Sequence, residues 1–317
     1  MFNSRTGIWV KAGLAALIIW AGSASHQNEA YASSAAKPYS EETARKDKTV
    51  QDAAADKVEA AVSEVERQAK LWVDELSSSS TYAEWKAANL SLSPLGPGTH
   101  SWLVLLKQRD KIVGYLIVHA AEDGGYRLGE YGTGAYPLFN EQSLQLSLLQ
   151  LQLIQDSSRA ERIYLNPLQA AWKIESKKSV TYTDAYSGEG LPPDWNRLIS
   201  GKPRANKHGV ASLHAGLLQS KTIPSFHPYG RMPWLTKPAL SIKNGDYSSL
   251  LQAISSKKEI RYTVDSFGGT LTQVWSVVGY DKWDSGELFL ALDTDEDNAD
   301  RRYIPIELLV EMGRFYR

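Results

Sequence analysis

The chain contains no cysteine. Disulfides, thiolate metal sites and a thiol nucleophile are therefore all excluded. Charge of one sign is lacking too: 35 basic and 36 acidic side chains leave a net charge of -1. No unbalanced field exists to draw in nucleic acid or anionic lipid. Gly-x-Ser-x-Gly, His-Glu-x-x-His and a glycine-rich phosphate loop are all missing. His208 and His214 stand six apart, the wrong spacing for one helix face, so they do not suggest zinc. Ser255-x-x-Lys258 matches a serine–lysine pattern, but it lies in a lysine-rich turn where such matches arise by chance.

Long apolar runs are scarce as well. The longest near the N-terminus, Ala12 to Gly22, is far short of the roughly 20 residues that cross a bilayer. With Arg5 and Lys11 before it and small residues after it, this run reads as a signal peptide over residues 1–32. Cleavage is expected after Ser25 or Ala32. The expected product is secreted or held in the cell envelope, with no membrane span after cleavage. The whole chain has 317 residues, 43% of them hydrophobic, which is enough for an ordinary core and about two domains.

Residues 33–57 read as a polar linker and the start of a helix, with Glu41 and Glu42 in a first turn that favours acids. Val58, Val62, Val65, Ala69, Trp72 and Leu76 then fall on one helical stripe. From Ser101 the period becomes strand-like: Trp102, Val104 and Leu106 alternate, and Ile112 to His119 is almost continuously apolar. Asp123-Gly124-Gly125 predicts a hairpin turn. Gln142 to Ile154 fits neither period cleanly, and Arg162 to Ile174 reads as strand broken at Pro167. Residues 58–175 are thus expected to form an N-terminal domain, one long helix packed on an antiparallel sheet.

The C-terminal domain is expected over residues 176–317. Seven of the thirteen prolines fall between Leu191 and Pro238, which predicts a proline-rich loop with at most a short helix at Val210 to Leu218. Regular structure resumes with a helix capped by Asn244 or Asp246, strands at Glu259 to Val264, Gln273 to Tyr280 and Glu287 to Leu292, and a helix opened by Pro305 and closed at Gly313.

Two segments resemble secreted bacterial papain-like proteins of the C39-like and streptopain-like kind. One is Gly114 to Phe139, preceded by Leu71-Trp72-Val73. The other is Gln273 to Asp281 (QVWSVVGYD), followed by Leu290-Ala291-Leu292-Asp293. The resemblance implies an α+β fold in which the helix-on-sheet module precedes a papain-like domain. It places the family's catalytic His on Gln273 and its Asp on Asp293, with the Cys near Lys207, His208 or Gly209. Gln273 exchanges no proton near neutral pH, and without a thiol there is nothing to acylate. The resemblance therefore implies a scaffold without cysteine-peptidase chemistry.

Asp293, Asp295 and Asp297 have the spacing of the first three ligands of a calcium loop. Asn298 in place of Gly and Ile304 in place of Glu exclude an EF-hand. A looser calcium site and a solvated acidic loop paired by Arg301 and Arg302 remain, and no other cofactor is expected. Trp195, Trp234 and Trp283 lie on expected loops and are candidate stacking platforms for a ligand such as a glycan, whereas Trp102 and Trp275 are assigned to core. The expected function is a non-catalytic exported binding or interaction protein. Its partner would be a cell-envelope or extracellular protein, peptide or glycan. The alternative is an extracytoplasmic hydrolase with a non-cysteine site.

Overall fold

The computed structural model of the chain describes residues 41–317 apart from 97–98, 123, 155–157, 178, 194, 196–207, 212–214, 243–244, 267–268 and 298–299, with side chains from Glu59 onward. The expected signal peptide and the first part of the linker lie outside the described residues. Residues Ala54–Arg317 form one compact unit, and the following concerns that unit. It takes in the later part of helix α1, whose bounds are Glu41–Leu76.

Strand β10, Leu271–Trp283, carries apolar side chains on both faces. Trp275 and Val277 enter one core and Val278 enters another. A bulge between Val277 and Gly279 interrupts its pairing with β11, Leu288–Asp293. An inserted residue reverses which parity faces which side. Beyond the bulge Tyr280 joins the first core, and Trp283 joins the second. A side chain at Gly279 would place its Cβ 2.2 Å from the Lys221 carbonyl oxygen. That close approach lets β8, Leu217–Thr222, pair with the second half of β10, while β9, Ile260–Ser266, pairs with the first half.

The N-terminal strands form a meander: β1 (Asn89–Pro94), β2 (Ser101–Gln108), β3 (Lys111–Ala120) and β4 (Tyr126–Thr133). On the C-terminal side β12 (Arg302–Pro305) pairs with β11, and β13 (Arg314–Tyr316) pairs with β9. The two groups meet where β4 pairs with β12, Gly132 opposite Arg302 and Tyr131 opposite Tyr303. All ten strands thereby belong to one antiparallel sheet. A separate three-stranded sheet is made by β5 (Arg159–Asn166), β6 (Gln169–Glu175) and β7 (Val180–Asp184).

Each face of the large sheet is covered differently. Val65, Ala69, Trp72 and Leu76 of α1 pack with Val104, Leu116 and Phe289 on one face, joined by Tyr82 and Trp85 from a 3-10 segment, Ser80–Ala87. On the opposite face Leu103, Tyr115 and Ile117 meet Phe139 and residues of the small sheet such as Trp172 and Ile174. Helix α2, Glu141–Gln150, adds its half-buried Leu144 and Leu148 to that layer. Further along the same face lie α3 (Ser248–Ser255) and α4 (Ile306–Met312), which bury Leu250, Ile254 and Leu309 against β9 to β11.

The expected α+β class is overturned: strands account for 41% against 24% for helices, so the protein is mainly antiparallel β with short helices. No long N-terminal helix serves as a separate layer. The packing described for α1 comes from its last turns, and the other α-helices given for the described residues have ten residues or fewer. The helix–sheet module and the following domain were expected to be separate, yet their strands share one sheet. A boundary between residues 175 and 176 falls between β6 and β7, which pair with each other. The segment expected to be a proline-rich loop contributes β8, and Val210 bridges to Leu128. The helical stripe was strong because it is periodic, but periodicity measures one element and not its share of the fold.

The β4–β12 junction is held on both sides. On one face the Tyr131 and Tyr303 rings stack, 4.9 Å between centroids and 7° from parallel. On the other, Arg302 donates from Nε to Glu130 Oε1 at 2.8 Å and from a terminal nitrogen to the Pro167 carbonyl at 2.6 Å. Tyr115 donates to the same Glu130 oxygen at 2.5 Å. Gly132 makes this possible, because a Cβ there would lie 2.2 Å from the Tyr115 ring. Glu130 is fully buried and Arg302 nearly so. Burial pushes the Glu130 carboxyl up, with Arg302 and Tyr115 pulling it back. Burial alone would lower the Arg302 pKa, but the Glu130 charge overrides it and raises it. Arg302→Ala strands a buried carboxylate and is expected to cost about 3–5 kcal/mol. Combining Arg302→Met with Glu130→Gln is expected to recover most of that loss in urea unfolding. A single-variant cost below about 1 kcal/mol, the range of an exposed pair, would contradict this role.

Candidate ligand-binding cleft at the sheet junction

Gln273 and Asp293 do not converge. In the β10–β11 register Asp293 stands opposite Ser276, three residues from Gln273. Side chains three apart on a strand point to opposite faces, so the two groups lie on opposite sides of the sheet. Asp293 accepts from the Ser225 hydroxyl at 2.6 Å and from the Asp295 amide at 3.3 Å. Gln273 lines a crevice of about 10 Å³ together with Trp195, Leu168 and Leu191. A space of that size holds a water molecule at most. His208 stands 3.4 Å from Glu311, while Lys207 and His214 lie outside the described residues.

Two of the three candidate tryptophan platforms are buried. Trp195 is 2% exposed and stacks on Tyr182, and Trp283 is fully buried against Tyr131. Trp283 is the last residue of β10 rather than a loop residue, and both rings are buried because large aromatic area is worth more in a core than in water. Trp234 is half-buried and meets Tyr229 edge-on. In the acidic loop, the Asp295 carboxylate caps the Asp297 amide at 2.9 Å. Asn298 lies outside the described residues. Among the described residues, no group of three or more His, Asp or Glu side chains is arranged to hold a metal ion.

What the structure assembles instead is a cleft of about 390 Å³ beside the β4–β12 junction. Thr133 and Gly134 at the end of β4 form one side, with Arg301 just ahead of β12. The ladder continues here beyond the named strands: Thr133 donates its amide to the Arg301 carbonyl at 2.9 Å, and the Arg301 amide donates to Thr133 Oγ1 at 3.3 Å. The 3-10 segment also lines the cleft, through Ser80, Thr81, Glu84 and the almost fully buried Trp85. The Trp85 indole is fixed by its N–H, which donates to the Val113 carbonyl at 3.0 Å. Thr222, at the end of β8, completes the lining. The Arg301 guanidinium donates to the Ile223 carbonyl at 3.4 Å, and its charge is felt by Asp293. Volume and lining fit a small polar ligand, since ligand pockets run from roughly 300 to 1,000 Å³ with a few convergent polar groups.

Behind the cleft lies a fully buried carboxylate, Asp281. Its Oδ2 accepts hydrogen bonds from Tyr82 and from Tyr131, the latter at 2.7 Å. Ser220 also bonds to it, and Ser220 lies 3.5 Å from Thr81 in the cleft wall. Tyr82 and Trp85 come from the same 3-10 segment, so the carboxylate anchors the element that forms the wall. No motif in the segment STYAEW signals this role, because Thr81 and Tyr82 meet Ser220 and Asp281, which lie 139 and 199 residues further along the chain. The nearest legible sign was Asp281 itself, a charged residue inside an apolar strand pattern.

No family model matches this chain, and no curated protein matches it.

Burial raises the Asp281 pKa above its ordinary 3.8, against the opposing hydrogen bonds of Tyr82, Ser220 and Tyr131. A carboxyl raised on folding stabilises the fold below its unfolded pKa, and that contribution is lost as pH rises through the folded value. The stability of the natural chain relative to Asp281→Asn is therefore expected to be greatest in acid and to decline above the ordinary carboxylate range. Denaturant unfolding of both proteins across a pH series measures this. A difference that stays constant or grows with pH would rule it out.

Proposed function

We propose that the protein is an exported, non-catalytic binding protein whose ligand occupies the cleft at the β4–β12 junction. The observation that carries this reading is the cleft itself: one guanidinium, one carboxylate and four hydroxyl side chains line about 390 Å³. Parts of the lining are tied in place by the Trp85 hydrogen bond and the Thr133–Arg301 ladder. Preorganisation of this kind lowers the ordering cost of binding. Export is the other half of the proposal and is supported by the basic and apolar pattern of residues 1–32. The ligand would come from the cell envelope or the extracellular medium, and the reading invokes no cofactor.

Two measurements test it. Amide chemical shifts recorded against a library of small polar compounds are expected to move together at Thr81, Thr133, Thr222 and Arg301. Shifts clustering instead around Tyr229 to Leu235 would place binding elsewhere. Mass spectrometry of the protein recovered outside the cytoplasm is expected to show a chain beginning at His26 or Ser33. Recovery of a chain that still begins at Met1 would remove the export half.

A further inference from the structure

The charges on the cleft suggest what it would take. Arg301, half-buried beside β12, and Glu84, exposed on the 3-10 segment, line the same cleft. Among the described residues the Glu84 carboxylate has no hydrogen-bond or ion-pair partner. Its backbone carbonyl alone is engaged, by Gln108 at 3.5 Å. A purely anionic ligand would meet Arg301 favourably but Glu84 unfavourably, and a purely cationic one the reverse. A neutral ligand would displace water from a half-buried guanidinium without replacing the charge interaction. A ligand that carries both signs matches both residues.

Resting on the reading of this cleft as a binding site, we propose that its ligand is a small zwitterion, a free amino acid or a short peptide. Its carboxylate lies at Arg301 and its ammonium at Glu84. The hydroxyls of Ser80, Thr81, Thr133 and Thr222 satisfy the remaining polar atoms, and the half-buried Val113 contacts the apolar part. Arginine suits the carboxylate because its planar fork binds both oxygens. The exposed Glu84 contributes more to selectivity than to affinity, since a charge at a rim is screened.

Isothermal titration calorimetry of the protein tests this with L-alanine, L-alanyl-L-alanine, the dipeptide's C-terminal amide and its N-acetyl derivative. The expected result is that one zwitterion binds at least tenfold tighter than both blocked forms, and the length arm shows whether amino acid or dipeptide fits. Glu84→Gln is expected to abolish discrimination against the N-acetyl form, and Arg301→Gln discrimination against the amide. Because Arg301 also supports the Ile223 loop, the exposed Glu84 variant stands as the independent arm. Equal binding of blocked and unblocked dipeptide, or binding unaffected by Glu84→Gln, overturns the zwitterion assignment. Ser80→Trp, which plugs the rim at an exposed position, separates the two levels. A neutral disaccharide that binds and is blocked by Ser80→Trp refutes the zwitterion but keeps the cleft as a site. Binding that Ser80→Trp leaves untouched refutes both.

Discussion

The two-residue ladder between β4 and β12 joins what would otherwise be two sheets. Its backbone contribution is small, so the junction depends on side chains. Tyr131 and Tyr303 stack on one face. Arg302, Glu130 and Tyr115 close the other. An ion pair buried this deeply gains little net stability, because desolvation offsets most of its attraction. What it does impose is register: only with Gly132 opposite Arg302 does the guanidinium reach Glu130, and only then do the tyrosines overlap. The cleft inherits this dependence, since Thr133 and Arg301 extend the same ladder by one step.

Asp281 plays a related part on the face that carries α1. A carboxylate among Tyr82, Tyr131 and Tyr303 is costly to bury. The bulge at Val277 to Gly279 aims it there by reversing the parity of β10. Without that inserted residue Asp281 would point toward Leu290 and Ile304, away from Tyr82 and Tyr131. One irregularity in one strand thus determines where the 3-10 segment is anchored, and with it the wall of the cleft.

Much of the regular structure was legible along the chain. The alternation of Trp102, Val104 and Leu106, the strands near 260, 273 and 287, the break at Pro167 and the closing helix after Pro305 are all present within a few residues. Local pattern sufficed because each element's partner follows closely in sequence. The parts that were not legible depend on distant pairing. The β4–β12 contact joins residues 131 and 303, and nothing near either tyrosine announces the other. β8 was hidden because Leu217 to Thr222 alternates weakly and sits among prolines. Its pairing with β10 relies on the absent side chain of Gly279. The site was missed for the same reason: Ser80, Thr133, Thr222 and Arg301 share no spacing, and only the fold brings them together. Gln273 and Asp293 were singled out by the papain-like resemblance, yet the pleat sends them to opposite faces.

The central claim is that the junction makes residues 54–317 a single cooperative unit with the cleft at its middle. Native-state hydrogen exchange under rising denaturant tests it most directly, because it resolves the opening free energy of each region. The account predicts that amides of Leu116 and Val118 in β3 and of Val277 and Val278 in β10 converge on one opening free energy, equal to that of global unfolding. Separate plateaus for the two sets, with the N-terminal meander opening while β9 to β12 stay protected, would contradict it.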